Sequence, residues 1–146
     1  MPEVSDRVNS RMLMFSIKPR WATMIAEKQK LYELRRRPPP QHAAGDVALI
    51  YATSPVCRLV CACQIEEIIT MESKALWNCI GEQTGCTKAE FDSYFAGCSF
   101  ANAIKLKVLE VNLPALSRIE LKTEYRFTPP QSWRWCHDLS KILEKR

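Results

Sequence analysis

Three consecutive prolines, Pro38, Pro39 and Pro40, close the cationic run "KQKLYELRRRPPP". Proline has a fixed φ and no backbone N–H, so neither a helix nor an interior strand runs through three of them. The chain must break there, and "RPPPQHAAGD" is predicted to be a loop. Before the break, "MFSIK" and "KLYELRR" read as short strands. Pro19 suits the first turn of a helix between them, where a missing N–H costs nothing. In that helix Trp21, Met24, Ile25 and Lys28 fall on one face, which assigns Trp21 to the core. After the break, "DVALIYAT" and "VCRLVCACQIEEII" are rich in β-branched and apolar residues and read as strands.

Downstream, "SKALWNCIG" is predicted to be a short helix with Ser73 as its cap and Gly81 as its stop. "TKAEFDSYFAG" carries a capping box, Thr87 with Glu90, buries Phe91, Tyr94 and Phe95, and ends at Gly97. "FANAIKLKVLEV" alternates, with Ile104, Leu106 and Val108 on one side. A proline-bearing connection follows, then "FTPPQSWRW" leading into a last basic helix, "CHDLSKILEKR". Strands with short helices segregated among them predict an α+β domain, a small curved sheet or barrel plugged by helices. The polar stretch 1–12 is expected to be a flexible leader, and residues 13–146 one domain.

The formal net charge is +5, and residues 17–37 alone hold seven basic and two acidic side chains. That window therefore accounts for the whole excess, which points to an anionic partner. No apolar run reaches the roughly 20 residues of a membrane span, and the N-terminus lacks the apolar core of a signal peptide. The seven cysteines form no C-x-x-C pair and are not spaced with His42 and His137, so no zinc site is expected. Cys57, Cys61 and Cys63 share parity with Leu59 and Ile65, so on a strand all five point one way as small hydrophobes. Reduced thiols without an export signal fit the cytoplasm. There is no phosphate-cradling glycine loop, no G-x-S-x-G and no H-E-x-x-H. Four glycines do not suffice for a dinucleotide fingerprint, and no cofactor is expected.

Lys30, Glu33 and Arg35 are the candidates that remain. On a regular strand Glu33 and Arg35 share a face while Lys30 takes the other. Lys30 and Glu33 converge only if Lys30 sits in the turn before the strand or a bulge intervenes. A neighbouring carboxylate holds a lysine cationic, which suits gripping a polar or anionic ligand. A base or nucleophile needs the opposite shift. The same three residues would also make an ordinary surface ion-pair ladder.

The stretches "FSIKPRWATMIAEKQKLYELRRRPP", "GDVALIYATSP", "FDSYFAG" and "PPQSW" resemble the ASCH domain of the PUA-like superfamily, from about Phe15 to Trp133. The family's G-x-K-x-x-E-x-R segment is matched by Lys30, Glu33 and Arg35, with Lys28 where the glycine usually stands. The resemblance implies a PUA-like mixed β-barrel with short helices packed around it. It also implies a cleft for RNA or a nucleotide, lined by Lys30, Glu33 and Arg35. Gln131, Ser132 and Trp133 would form a second wall, reading or stacking on a base. Lys18, Arg20, Lys28, Arg36, Arg37 and Arg134 would serve phosphates, with Lys141, Lys145 and Arg146 extending the rim. Some members are hydrolases of N4-acetylcytidine or of single-stranded RNA. In that alternative Lys30 is the activating residue and Glu33 the general acid or base. The amidohydrolase lysine falls on Lys30 and its threonine on Glu33, with Glu82 near its downstream glutamate. Whether the chain is an enzyme is left open by the resemblance.

Overall fold

The computed structural model describes residues 11–144. Its six strands are β1 (Met12–Ile17), β2 (Tyr32–Arg35), β3 (Val47–Ala52), β4 (Arg58–Glu72), β5 (Phe100–Glu110) and β6 (Trp133–Trp135). The α-helices among the described residues are α1 (Pro19–Ala26), α2 (Ser73–Ile80), α3 (Lys88–Tyr94) and α4 (Arg118–Tyr125). The strands form one sheet in the order β2-β5-β4-β3-β1-β6. Only β1 and β3 pair in parallel; the other ladders are antiparallel. This is the expected α+β architecture, a mixed sheet curled toward a barrel with helices against it.

Central strands β1 and β3 are buried at every residue, which is why "MLMFSI" and "VALIYA" read as continuous apolar runs. Leu13, Phe15, Ile50, Cys61 and Ile65 pack with Ile25 of α1 on the inner face. Met12, Met14, Leu49, Leu121, Phe127 and Ile142 form a core on the other. A third cluster, around Tyr32, Leu76 and Phe91, sits under α2 and α3. The shared parity expected for the cysteines fails at a register shift in the β3–β4 ladder between Ile50 and Tyr51. An extra residue in one strand reverses the facing of everything beyond it. Cys61, Cys63 and Ile65 therefore reach the inner core, whereas Leu59 and Cys57 pack on the opposite side.

The sheet does not close through its main chain, since β2 and β6 are its two end strands. Side chains bridge the seam instead. Arg35 of β2 donates to the Ser16 carbonyl of β1 and to the Ser132 hydroxyl just before β6. Trp133 Nε1 donates to the Arg37 carbonyl from the other side.

Helix α1 ends where the pattern places its last turn. The N–H of Lys28 reaches the carbonyl of Ile25, and the N–H of Gln29 that of Met24. These are the paired bonds of a Schellman motif, whose C′ position is left-handed. Lys28 occupies it with φ 64°, so the turn stays tight although glycine, which takes that φ without strain, is absent. The capping box of Thr87 and Glu90 is present. Ser73 is not a cap: it is the first residue of α2, and its buried hydroxyl has no hydrogen-bond partner among the described residues. Gly81 does not stop α2 by turning left-handed. It keeps φ −52° and the chain tightens into a 3-10 turn, Gly81–Gln83. Glycine is needed there because a Cβ would lie 2.5 Å from the Trp77 ring.

Three elements depart from expectation. The proline-bearing connection contains α4, opened by a second capping box, Ser117 with Glu120. It buries only Leu121, so no apolar stripe announces it. "WRW" is a strand on β1, and the final segment is a 3-10 helix, His137–Glu144, rather than an α-helix. Residues 1–10 of the expected leader, with Lys145 and Arg146, lie outside the described residues; Met12 opens β1.

Candidate functional site

The Schellman turn delivers Lys30 to the chain just ahead of β2, so it is not bound by strand alternation. Lys30, Glu33 and Arg35 converge as a result. Lys30 Nζ lies 3.6 Å from Glu33 Oε1, and Arg35 contacts Glu33 Oε2 at 2.8 Å. All three are buried, with exposures of 4%, 7% and 9%. Lys30 also donates to the Thr84 carbonyl at 2.6 Å. Arg35 spends its donors on Glu33, Ser16 and Ser132, and Asn102 grips the carbonyls of Arg35 and Arg36. The trio is thus a buried, fixed network, not a surface ladder.

The network faces a hollow of about 300 Å³ between α1, β2 and α3. Lys18, Trp21, Cys86, Glu90 and Tyr94 line it together with the trio. Trp21 is half-buried and not sealed in the core as its helical spacing suggests. One side of its ring meets the inner core, while the Arg20 guanidinium and the Lys30 ammonium stand over it at 4.0 and 5.2 Å. Tyr94 is likewise half-buried, whereas Phe91 and Phe95 are buried as expected.

Burial pushes the Lys30 ammonium below the ordinary lysine range, against the opposing pull of Glu33. The expectation that Glu33 raises the lysine above its ordinary range is thus not met, because the loss of water outweighs the neighbouring charge. Across the mouth, Arg20 binds both oxygens of Glu90, the shorter at 2.8 Å. Its guanidinium and the Thr87 amide hold the Glu90 carboxyl down to about 2.

The other residues expected at the site are placed unequally. Lys18 lines the hollow. Arg20 stands at its mouth but is committed to Glu90. Arg36 lies over the Tyr94 ring and donates to the Tyr94 carbonyl. Arg37 is exposed. Ser132 reaches the site through Arg35 and through its carbonyl, which accepts from the Ser16 N–H; Gln131 and Trp133 do not line the hollow. Arg134 alternates away from Trp133, lying over Phe127 and donating to Thr128. Lys28 opens onto a different hollow, and Glu82 lines neither. Ser16, Thr84, Cys86 and the pairing role of Glu90 carry no sequence signal, since each depends on contacts across the fold. Among the described residues no group of three His, Cys, Asp or Glu side chains is placed to hold a metal, and no helix is long and apolar enough to cross a membrane.

Residues 15–114 match the family model of the ASCH domain. This chain belongs to the ASCH family. The ASCH domain-containing ribonuclease of Zymomonas mobilis is 29% identical over 139 residues, covering 92% of this chain and 88% of that protein. The crystal structure of ZmASCH from the same organism superposes with a TM-score of 0.82 at 28% identity, covering 92% of this chain and 94% of that one. A serine-to-alanine mutant of ZmASCH gives 0.83 at 27% identity, over 93% and 96%. The PUA-like ASCH fold expected from the sequence is therefore the one observed.

Proposed function

We propose that this ASCH domain binds RNA, taking one nucleotide of a single strand into the hollow between α1, β2 and α3. The observation that carries this reading is the buried Lys30–Glu33–Arg35 network facing that hollow, with an indole on its wall. A volume of about 300 Å³ lies at the small end of ligand pockets, a scale for one nucleoside and not a duplex. Displacing the Arg20 guanidinium that lies over its ring frees Trp21 to stack on a base, a contact worth about 1–3 kcal/mol and indifferent to base identity. The free lone pairs of Glu33 accept from a base N–H, and Lys18 at the rim meets the phosphate. The ribonuclease relative supports RNA as the polymer.

Titrating the protein with a single-stranded oligoribonucleotide while following tryptophan fluorescence tests it. Binding is expected to quench Trp21, and Trp21→Leu is expected to weaken affinity at least tenfold with the fold intact. Unchanged affinity in Trp21→Leu would remove the base from this hollow.

One observation favours a second reading, hydrolysis. Burial moves Lys30 in the direction a lysine needs to accept a proton. In that reading neutral Lys30 removes the proton of a 2′-hydroxyl, the oxygen closes on the adjacent phosphorus, and the 5′-oxygen leaves with a proton from water. Incubation with single-stranded RNA and with N4-acetylcytidine decides it. Turnover lost in Lys30→Ala establishes an enzyme; binding without turnover of either substrate retires the reading.

A further inference from the structure

Strand β5 continues past the helices that cover it. On its outer face Ala101 and Ala103 lie in the cluster beneath α2 and α3. The next residues of the same parity are Lys105 and Lys107, while Ile104 and Leu106 face the inner core. The Schellman turn brings Lys28 to the same place. Lys28, Lys30, Lys105 and Lys107 line a second hollow of about 300 Å³, with Glu66 as its sole acid among the described residues. None of Lys28, Lys105 and Lys107 forms a salt bridge among the described residues. Glu67, directly across the ladder from Lys105, instead accepts from the Tyr32 hydroxyl at 3.5 Å. Lys28, Lys105 and Lys107 thus border a concavity that holds one carboxylate, Glu66, with Glu67 across the ladder from Lys105.

Lys28 supplies an independent observation. It stands left-handed, at φ 64°, in a turn where glycine carries no strain. A left-handed non-glycine residue carries strain, and such positions concentrate at functional sites. The side chain of Lys28 is exposed, and it borders the second hollow and not the first. Lys30 borders both, so the two hollows are neighbours that share it as a common wall.

We propose that the second hollow is a phosphate subsite: Lys28, Lys105 and Lys107 hold the backbone of the strand whose nucleotide occupies the first hollow. This rests on the reading of the first hollow as a nucleotide site, and it assigns a direction to the strand's path. The RNA crosses the turn between α1 and β2 at Lys30 and runs along the exposed end of β5. Contact there is with phosphates and independent of sequence, because the lysines present point charges.

The test compares UMP with an octauridylate over a range of salt concentrations, using fluorescence and anisotropy. Each phosphate contact to a single strand contributes about 0.7 to the slope of log K against log salt. The combined variant Lys28→Gly, Lys105→Gln, Lys107→Gln is expected to lower the octauridylate slope by about 2 and to leave UMP affinity unchanged. Lys30→Met is expected to weaken both ligands. Lys28→Gly alone relieves the left-handed strain, so its Tm should be unchanged or higher while its slope still falls; loss of fold then cannot explain loss of binding. An unchanged slope in the combined variant, or an equal loss for UMP, overturns the subsite. If neither UMP nor octauridylate binds the wild type, the first hollow is not a nucleotide site. Inorganic tripolyphosphate then tests the second hollow alone: amide shifts at 28, 105 and 107 retain an anion subsite, and their absence ends it.

Discussion

Two charge clusters share one wall of the molecule and behave differently. Lys30, Glu33 and Arg35 are buried, with Arg35 tied to β1 and to Ser132 just before β6. Arg20 and Glu90, a helix away, form a bidentate pair in solvent. The first is held by the fold and helps to hold it. The second adds geometry to the mouth of the hollow and little to stability, as exposed pairs generally do. The lesson is that the short contacts of Arg20 with Glu90 and of Arg35 with Glu33 are alike in distance and unlike in consequence. Solvent access separates them.

The largest effect expected from this contrast is at Arg35. Arg35→Leu leaves Glu33 buried beside Lys30 alone and unties the seam, and removing one partner of a buried pair costs about 3–5 kcal/mol. Chemical denaturation is the measurement; a loss under about 1 kcal/mol would place the seam's strength elsewhere.

Lys30→Met comes next and is expected to cost less than Arg35→Leu, because Arg35 still pairs with the Glu33 carboxylate in its absence. Its pH dependence sharpens the point. The folded pKa of Lys30 is lowered from 10.5, so between the lowered value and 10.5 the unfolded chain binds the extra proton and stability rises with pH. Wild type should therefore gain on Lys30→Met as pH climbs toward 10.5. A gap that widens against wild type in that window would mean that Glu33, not burial, governs the lysine.

The smallest effect belongs to Glu90→Gln, which keeps the capping box and removes the charge facing Arg20. The Glu90 carboxyl is lowered from 4.5 to about 2. Its contribution is present above pH 4.5 and lost as pH falls toward 2. The Tm difference between wild type and Glu90→Gln should be small at neutral pH and vanish across that window. A large difference at neutral pH would make the exposed pair structural after all.

Local spacing carried the trio. Lys30 and Glu33 are three residues apart, so a single turn decides whether they meet, and the helix end near Lys28 was readable from the apolar stripe of α1. The partners of Arg35 were not readable, since Ser16 and Ser132 lie 19 and 97 positions away. The same holds for Arg20 and Glu90, 70 apart. Helix α4 hid because its sequence is nearly all polar, although Ser117 and Glu120 spelled the cap that Thr87 and Glu90 spelled elsewhere. Trp21 packs against the core as read but is only half-buried, because periodicity reports which face of a helix turns inward, not where the inner surface opens. Lys105 and Lys107 were visible as the polar half of an alternating strand, yet nothing in "AIKLKV" says that Lys28 comes to meet them.

The unclosed seam gives the domain an unusual freedom. A barrel zipped by main-chain ladders has a circumference fixed by its strand count. Here the last joint is made of a guanidinium, an indole and a hydroxyl. Exchanging those few groups resizes and repolarises the opening while every ladder stays in register, so one scaffold can be refitted for different guests by changing its clasp.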